Sequence, residues 1–342
     1  MSKKILVTGG TGYIGSHTAV ELLQKDYEVF IVDNLCNSHI SVLTGIEKIT
    51  KKKPHFTKLD LTDKHATEKY FHVHHDIDAI IHFAALKSVN ESVSKPLLYY
   101  KNNLESLVNL LNNMLDKEIP SLVFSSSCTV YGQPDRLPVN EEAPLKKPSS
   151  PYGNTKQISE EIIRDTINSS DFLKVISLRY FNPIGSHPSA LIGELPLGVP
   201  NNLVPFITQT AAGIRDQLKV FGDNYNTPDG TCIRDYINVV DLAKAHVVSV
   251  ERLVNNKMNE SLEIFNLGTG NGYSVLDVID AFEKVSGKKL NYTIVGRRSG
   301  DVEQVWADVS KANEVLDWKT ERNLEETMLS AWNWEKKYRG IH

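Results

Sequence analysis

The chain has 342 residues, 41% of them hydrophobic and 23% charged, with a formal net charge of −4 at pH 7. A length of this order predicts roughly two domains or one large two-lobed unit, and the composition is that of a soluble globular protein. The slightly negative charge excludes general binding to nucleic acid or to an anionic membrane surface. An anionic ligand would therefore have to meet a local basic patch.

The three cysteines, Cys36, Cys128 and Cys232, lie far apart and form no C-x-x-C pair. This pattern disfavours a disulfide framework and a zinc site, and it is typical of a reducing compartment. The apolar run at the start of the chain is too short for a signal peptide, and no apolar run approaches the roughly 18–20 residues that span a bilayer. We therefore predict a cytoplasmic protein with no metal site and no membrane segment.

Short apolar runs alternate with helical patterns through the first half of the chain. Runs that are apolar almost throughout are typical of parallel strands covered on both faces. Their alternation with helices predicts βαβ units and a doubly wound parallel sheet of the Rossmann type. The predicted strands are 4–9, 27–33, 55–60, 78–85, 122–127 and 175–182, and the predicted helices are 13–24, 39–50, 63–74, 97–117 and 151–168.

The alternation becomes less regular from about residue 182. Residues 183–200 are rich in proline and glycine and predict a long loop, which in a compact domain is usually functional or disordered. We divide the chain into a Rossmann domain, 1–181, and a smaller α/β lobe, 182–342, which is partly interleaved with it. The further predicted elements are helices at 202–215, 239–254, 274–286, 309–317 and 323–338, and strands at 218–221, 262–266 and 291–295.

The first predicted strand runs into a glycine turn and then a helix, over residues 5–23. Gly10, Gly12 and Gly15 fit the pattern G-x-G-x-x-G, and Gly9, Gly12 and Gly15 fit the looser G-x-x-G-x-x-G. Glycines in this context allow a tight turn and a close approach of the backbone to a pyrophosphate, which the helix N-terminus attracts. The motif predicts a dinucleotide site; a glycine-rich structural turn is the alternative.

Asp33 ends the second predicted strand and indicates which dinucleotide binds. A carboxylate there can accept hydrogen bonds from a ribose diol but would repel a 2′-phosphate. No lysine or arginine follows closely in the sequence, so NAD is favoured over NADP. A turn-forming role for Asp33 is the alternative. In the third βα region, Asp60 could bond the adenine edge or cap a helix.

Hydroxyl groups end the strand 122–127, where ligands of open α/β sheets bind. Ser150 suits a helix N-cap and Pro151 the first helical position, so Tyr152 and Lys156 stand four residues apart on one helical face. A serine run is ordinary turn chemistry, and such a pair is ordinarily a solvated helix face. Beside a dinucleotide site, Ser127, Tyr152 and Lys156 together predict a proton-transfer device.

The phenol of Tyr152 must be acidified to act near neutral pH. Lowering a tyrosine pKa from about 10 by about three units requires roughly 4 kcal/mol. One cation at about 5–6 Å supplies approximately 3 kcal/mol at an effective dielectric constant of about 20. We therefore predict that Lys156 and a positively charged nicotinamide ring act together, neither being clearly sufficient alone, while Ser127 hydrogen-bonds the reacting oxygen.

Family-like stretches extend from about residue 4 to 320: "TGGTGYIG", "DNLCNS", "FAALKSVNES", "FSSSCTVYG", "SPYGNTK", "LRYFNPIGSHPSALIGE", "NNLVPF", "RDYINVVDLA" and "NLGTGNGYSVLDV". Together they resemble the UDP-glucose 4-epimerases, members of the extended short-chain dehydrogenase/reductase family. The resemblance implies tightly held NAD that is used catalytically and not consumed. Tyr152 would take the proton of the sugar 4-hydroxyl while the C4 hydride passes to nicotinamide. The 4-keto sugar would then turn over and receive the hydride on its other face.

The resemblance also implies two sets of binding residues. The implied cofactor contacts are Gly9, Gly12, Tyr13, Ile14, Gly15, Asp33, Asn34, Asp60, Leu61, Phe83, Ala84, Lys87, Asn103, Tyr152, Lys156 and Tyr180. The implied substrate contacts are Lys87, Ser127, Asn182, Asn201, Asn202, Leu203, Leu218, Phe221, Arg234, Tyr236, Arg298, Asp301 and Val305.

Within the substrate set, Leu218 and Phe221 would surround the uracil, and Arg234, Arg298 and Asp301 would meet the diphosphate and ribose. Arginines make chemical sense as bidentate phosphate clamps on an otherwise acidic protein. A solvated arginine is the alternative for each.

Two departures from the family pattern stand out. Ala85 and Asn90 replace glycines of the family stretch "FAGLKAVGES". Val305, in "GDVEQVWAD", occupies a place that is tyrosine in some relatives, where it closes the sugar pocket against an N-acetyl group. The smaller side chain predicts that UDP-N-acetylglucosamine and UDP-N-acetylgalactosamine are also substrates.

Two other functions compete with epimerisation. A sugar-nucleotide 4,6-dehydratase shares the fold but needs an acid and a base, typically Asp-Glu, where this chain has Cys128 and Thr129. A non-catalytic dinucleotide sensor would have no reason to keep the serine, tyrosine and lysine in register. The helix 97–117 has more apolar surface than one sheet face requires, which predicts a homodimer formed with the helix after Tyr152. Ordinary packing on the sheet is the alternative.

Overall fold

The computed structural model of the protein describes residues 2–298 and 301–341. The first half contains β1 (Lys4–Thr8), α1 (Tyr13–Gln24), β2 (Glu28–Asp33), α2 (Val42–Thr50), β3 (His55–Lys58), α3 (Lys64–Val73), β4 (Ala79–His82), α4 (Val89–Ser94), α5 (Pro96–Asp116), β5 (Ser121–Ser127), α6 (Pro151–Asn168) and β6 (Lys174–Tyr180). The second half contains β7 (Asn182–Ile184), α7 (Leu203–Ala211), β8 (Leu218–Phe221), β9 (Ile233–Arg234), β10 (Tyr236–Asn238), α8 (Val239–Val254), β11 (Leu262–Leu267), β12 (Tyr273–Ser274), α9 (Val275–Ser286), β13 (Tyr292–Val295), β14 (Gln304–Val305), α10 (Ser310–Val315) and α11 (Leu324–Arg339).

The largest sheet has seven strands in the order β11-β6-β5-β4-β1-β2-β3. Every pairing within it is parallel, so the predicted doubly wound Rossmann-like class is confirmed. The chain runs outward from β1 to β2 and β3 and then returns to β4 on the other side. Such a reversal opens a crevice at the carboxyl ends of the strands, where ligands of this architecture bind.

The seventh strand comes from the second half of the chain. β11 pairs with β6 from Leu262 beside Val175 to Leu267 beside Tyr180, and α8 packs against α1. The large sheet therefore draws elements from beyond residue 182. The division into 1–181 and 182–342 remains a prediction about how the chain is shared between two lobes.

Both faces of the large sheet are buried, because side chains alternate along each strand. In β1, Ile5 and Val7 point to a core covered by α1 and α8, whereas Leu6 points to a core covered by α3, α5 and α6. All three side chains are completely buried. This two-sided burial explains why the strands are apolar almost throughout.

The smaller lobe has its own core between α7, α9 and α11. Phe282 of α9 and Trp332 of α11 meet edge to face with ring centroids 5.6 Å apart. Capping boxes begin α9 at Ser274 and α11 at Asn323, which satisfies amides that would otherwise be unpaired. Residues of this lobe lie across the cavity from the carboxyl ends of the large sheet.

The structure corrects several predicted boundaries. β6 ends at Tyr180, before the predicted end at residue 182. Asn182 begins a separate strand, β7, whose last two residues lie in the segment 183–200 that was predicted as a loop. Helix α7 ends at Ala211, before residue 215, because Gly213 takes a left-handed conformation with φ of 74°. The sequence analysis missed α4 and the strands of two or three residues, since elements this short show no periodicity.

Among the described residues, no helix is both long enough and apolar enough to cross a bilayer.

Candidate active site

A cavity of about 960 Å³ lies at the carboxyl ends of the large sheet and is closed on its other side by residues of the smaller lobe. Its walls include residues of the glycine turn, the ends of β2 and β5, the start of α6, and the strands β8 and β14. Every predicted site residue except Asn103 lines it. The fold thus brings into one cavity positions that lie up to about 300 residues apart in the sequence.

The glycine turn forms one end of this cavity. Gly9 has φ of 68°, and a Cβ there would lie 2.8 Å from the Ala84 amide nitrogen; a Cβ on Gly15 would lie 2.4 Å from the Gly9 carbonyl oxygen. Both positions therefore require glycine. Gly12 is the N-cap of α1, and within the described residues no side chain caps that helix. The amides of its first turn, at Tyr13 and Ile14, are left for a ligand.

The Asp33 carboxylate is buried in the cavity wall at the end of β2. One oxygen, Oδ1, accepts hydrogen bonds from the Leu35 amide at 2.8 Å and the Ser38 hydroxyl at 3.0 Å. The other, Oδ2, accepts one from the Thr11 amide at 3.2 Å. These bonds orient the carboxylate, and an oxygen with one donor retains a lone pair for a further hydroxyl.

Asp60 and Asn34 meet at the neighbouring strand ends. The Asn34 side-chain amide donates to Asp60 Oδ2 at 3.1 Å, and Asp60 Oδ1 accepts from the Thr62 amide and hydroxyl. The N-cap of α3 is Asp63, whose carboxylate accepts from the Ala66 amide. Asp60 therefore does not cap that helix, and it presents its carboxylate to the cavity wall.

Asn103 does not line the cavity. Its side chain is buried behind the wall, where it accepts from the Leu86 amide at 2.8 Å and donates to the Leu86 carbonyl and the Thr155 hydroxyl. It ties α5 to α6 and to the loop that carries Lys87. We therefore interpret Asn103 as a positioning residue for these elements, and its predicted cofactor contact stays a prediction.

The residues predicted to transfer protons converge where β5 ends and α6 begins. Ser150 caps α6 by accepting from the Gly153 amide, which places Tyr152 and Lys156 on the cavity side of the helix. The Lys156 ammonium lies 6.0 Å from the Tyr152 ring centroid and donates to the Ser125 carbonyl at 2.6 Å. Ser127, the last residue of β5, lines the same wall.

The Ser127 hydroxyl oxygen accepts two hydrogen bonds, from the Thr129 amide at 3.2 Å and the Thr129 hydroxyl at 3.0 Å. Its own proton is therefore directed toward the cavity side, where the Tyr152 hydroxyl also lies. Burial raises the pKa of the neighbouring Cys128 to about 12, so this thiol is not a base near neutral pH. Neither Cys128 nor Thr129 supplies the carboxylate pair that a dehydration would use.

Burial decides the protonation of the tyrosine and the lysine in the protein alone. Burial raises the pKa of Tyr152 well above its ordinary value, and the hydrogen bond with Ser127 offsets only part of that rise. Burial lowers the pKa of Lys156 to about 8, against the opposite effect of the Glu160 carboxylate. Burial therefore favours the neutral phenol in the protein alone.

The opposite end of the cavity contains two arginines. They provide the local positive charge that an anionic ligand requires in a protein of negative net charge. The Arg298 guanidinium lies over the Phe221 ring, 4.4 Å from its centroid. The Arg234 guanidinium lies 3.8 Å from the Asp301 carboxylate. Both arginines are in the cavity wall, in a geometry suited to an anion beside a flat aromatic base.

The remaining predicted substrate residues line the same cavity as these arginines. Val305 is buried and stands next to Arg234 in the pairing of β14 with β9, and Tyr236 stands next to Asn182 in the pairing of β10 with β7. The others that line the cavity are Asn201, Asn202, Leu203 and Leu218, and the cofactor set is completed there by Leu61, Phe83 and Tyr180.

Glu194 lines the cavity and was missed by the sequence analysis. Its carboxylate accepts from the Lys87 ammonium at 3.4 Å and from the Asn202 side chain at 2.5 Å, while its carbonyl accepts from the Trp334 indole at 3.1 Å. Lys87 also lies 5.7 Å from the Tyr13 ring centroid. A lone acid in the Pro- and Gly-rich loop 183–200 was the signal that could have identified it.

Comparisons with known proteins agree with this geometry. The family model described as GDP-mannose 4,6 dehydratase matches residues 6–330. UDP-glucose 4-epimerase 2 of Arabidopsis thaliana is 50% identical to this chain, over 98% of it and 95% of the relative. The solved UDP-glucose 4-epimerase of Bifidobacterium longum, in complex with NAD+ and UDP, has 44% identity and a TM-score of 0.94 over 99% of this chain and 100% of that one. The enzyme of Stenotrophomonas maltophila, with bound NAD and formylated UDP-arabinopyranose, has 45% identity and a TM-score of 0.95 over 99% of this chain and 100% of that one. The chain therefore belongs to the UDP-glucose 4-epimerase family.

Proposed function

We propose that this protein interconverts UDP-galactose and UDP-glucose by epimerisation at C4, with tightly bound NAD, through a transient 4-keto sugar. The observation that carries the proposal is the convergence of Ser127, Tyr152 and Lys156 on a cavity with a glycine turn at one end and two arginines at the other. Membership of the epimerase family supports it.

The residues around the glycine turn fit NAD. The first turn of α1 offers amides and the positive end of the helix dipole to a pyrophosphate, and Asp33 Oδ2 keeps a lone pair for a ribose hydroxyl. Of the described cavity-lining residues between 32 and 42, none is lysine or arginine. A 2′-phosphate would therefore meet a carboxylate without a compensating cation, which favours NAD over NADP. The remaining cofactor contacts are proposed as the sequence analysis names them, with Asn103 in a positioning role.

In the proposed mechanism, Tyr152 removes the proton from the 4-hydroxyl of the sugar and later returns it. Ser127 donates a hydrogen bond to the same oxygen, because its own lone pairs are occupied by Thr129. Lys156 supplies one positive charge beside the phenol. Bound NAD would supply a second positive charge and a reversible hydride acceptor.

The arginines hold the nucleotide while the sugar reorients. Arg234 and Arg298 form charge-assisted hydrogen bonds with the diphosphate, and Leu218 and Phe221 hold the uracil. Inversion requires that the keto sugar present either face to the same hydride, so the protein must fix the diphosphate and leave the hexose free to turn. A cavity of about 960 Å³ provides the volume for both ligands.

The test is turnover of four UDP-sugars by the purified protein, with products separated by chromatography. The proposal expects UDP-galactose and UDP-glucose to interconvert without added NAD and without net reduction. Formation of a 4-keto-6-deoxy product would instead indicate the dehydratase, which lacks support because Cys128 and Thr129 occupy the positions of its acid and base. If cofactor is bound but UDP-sugar changes neither the products nor the absorbance near 340 nm, the protein is a dinucleotide sensor.

We also propose that the N-acetylated pair of UDP-hexoses is turned over. Val305 is buried among Val130, Tyr131, Phe181 and Ala307 and reaches the cavity wall, where a valine leaves more volume than a tyrosine. Val305→Tyr should selectively reduce turnover of UDP-N-acetylgalactosamine relative to UDP-galactose, and Val305→Thr, which keeps the volume, should not. Unchanged turnover of the N-acetylated substrate by the tyrosine variant would refute the idea that the size of residue 305 controls acceptance of the N-acetyl group.

The proposed assembly is a homodimer. Leu97, Tyr100, Leu104 and Val108 form an apolar stripe along α5, and Leu97 and Val108 are 80% and 41% exposed. Together with the neighbouring α6, this stripe would form a four-helix contact with a second copy. Sedimentation of Leu97→Glu/Val108→Glu should yield a monomer, whereas Leu329→Glu, an exposed leucine of α11, should leave the dimer intact. A double variant that still sediments as a dimer would contradict the proposed surface.

From the cysteine usage, we propose that the enzyme is located in the cytoplasm.

A further inference from the structure

A buried ion pair lies one helical turn beyond Lys156 and takes no part in the reaction as described above. Glu160 and Arg179 are 3% and 2% exposed. The carboxylate accepts a fork of two hydrogen bonds from the guanidinium, from Nε at 3.0 Å and from Nη2 at 2.6 Å. Tyr152, Lys156 and Glu160 follow one another at intervals of four residues, so they share one face of α6.

Glu160 connects that face to both strands beneath it. Its Oε1 accepts from the Ser126 hydroxyl of β5 at 2.5 Å and from the Ser177 hydroxyl of β6 at 3.3 Å. Ser126 directly precedes Ser127 in the sequence, and Arg179 directly precedes Tyr180. Both Ser127 and Tyr180 line the cavity. One carboxylate therefore fixes the relative positions of the helix and of the two strands that carry the reacting groups.

The pair is anchored further from the cavity by a buried polar chain. Arg179 Nη1 donates to the Tyr131 hydroxyl at 3.0 Å, and that hydroxyl donates to Asn266 Oδ1 at 2.7 Å. Asn266 belongs to β11, and its amide donates to the Glu141 carboxylate at 2.7 Å. The guanidinium is thus hydrogen-bonded on both sides, to Glu160 and to Tyr131.

We propose that Glu160, held by Arg179, is a positioning residue that keeps Lys156 charged and aimed at Tyr152; the inference rests on the proposed function. A buried ion pair adds little to stability, since an apolar pair of similar volume is often as good or better. Its position one helical turn beyond Lys156, on the same face of α6, therefore points to another role. The Lys156 ammonium has lost its hydration, and a nearby carboxylate favours its charged form.

The other groups that face Lys156 do not replace this carboxylate. The Ser125 carbonyl accepts one of its protons and the Phe124 ring lies 5.0 Å away. His82, on β4, is held neutral because burial lowers its pKa to about 3, and the charge of Lys156 acts in the same direction. Burial raises the pKa of both Tyr152 and Tyr180, so neither phenol is negative near neutral pH.

The test uses the double variant Glu160→Gln/Arg179→Met, which removes both charges together and avoids an uncompensated buried guanidinium. The first readout is the pH dependence of Lys156 modification by a small amine-reactive reagent in the holoenzyme, measured by mass spectrometry. The midpoint in the variant should lie about one pH unit below that of the wild-type holoenzyme measured in parallel. This readout needs no turnover, so it decides the role of Glu160 even if the protein is not an epimerase.

The second readout is the pH profile of kcat for UDP-galactose. A midpoint moved from about 8 to about 7 would reduce the charged fraction of Lys156 at pH 7.5, and with it turnover, by about threefold. The control is Glu263→Gln/Arg252→Met, which removes another forked ion pair, with contacts of 2.6 and 2.8 Å, that does not line the cavity.

The proposal expects a shifted Lys156 midpoint in the Glu160 variant and an unshifted one in the control. If the Glu160 variant folds, retains the wild-type midpoint and loses only thermal stability, the pair is purely structural and the proposal is wrong. If both double variants shift the midpoint equally, the effect belongs to general loosening of the sheet, and the proposal is equally overturned.

Discussion

Mild acid should destabilise this protein strongly, because three histidines are buried in their neutral form. His17, His82 and His246 are at most 3% exposed. Burial lowers the pKa of His17 and His82 to about 3 and that of His246 to about 4. Among the described side chains, Nε2 of His17 and of His246 has no hydrogen-bond partner, so a proton added there would be buried without compensation.

The size of the effect follows from proton linkage. An unfolded histidine titrates near pH 6.5, so below that pH the unfolded chain binds protons that the folded chain rejects. Stability is therefore complete above about pH 6.5 and falls as the pH decreases, until the folded-state values are reached. At pH 5.5 each histidine costs RT ln(1 + 10), about 1.4 kcal/mol, or about 4 kcal/mol for the three. Typical domains are stable by about 5–15 kcal/mol.

The assay is urea unfolding followed by circular dichroism at pH 7.5 and 5.5. The variant His246→Asn keeps a donor for the Leu242 carbonyl, which the imidazole bonds at 2.9 Å, but removes one titrating ring. Its loss of stability between the two pH values should be about 1.4 kcal/mol smaller than that of the wild type. His65→Asn, a control at a side chain that is 94% exposed, should behave as the wild type. A wild-type loss below about 1 kcal/mol, or an unaltered loss in His246→Asn, would refute the reasoning.

Three further outcomes test the site. Tyr152→Phe should reduce kcat by about 10²–10⁴-fold without changing the thermal midpoint of unfolding. Turnover equal to that of the wild type would exclude the phenol as the proton carrier. The control is Tyr70→Phe, at a buried tyrosine outside the cavity wall. Arg298→Leu should raise KM for UDP-galactose by roughly 10–100-fold, at about 1.5–3 kcal/mol for a charged hydrogen bond, with kcat little altered; a loss confined to kcat would contradict a role in binding. Gly15→Ala should abolish NAD retention, measured by cofactor absorbance, because the added Cβ would lie 2.4 Å from the Gly9 carbonyl oxygen. The control Gly296→Ala, at a position with open space around it, should retain the cofactor.

The local sequence predicted those parts of the molecule that depend on neighbouring residues. Strand and helix positions in the first half followed from periodicity, the glycine turn from residues that must avoid a Cβ, and the start of α6 from Ser150 and Pro151. The placement of Tyr152 and Lys156 on one face followed from helical spacing alone. These features require only short-range geometry, which is why a single sequence was sufficient.

Only the tertiary structure decided how distant segments meet. It assigned β11 to the large sheet, set Asn103 behind the cavity wall, and joined Lys87 to Glu194 across 107 residues of chain. It also placed Tyr152 in surroundings where burial raises the pKa of the phenol. Contacts and desolvation of this kind depend on which side chains surround a group in space, and local sequence patterns do not contain that information.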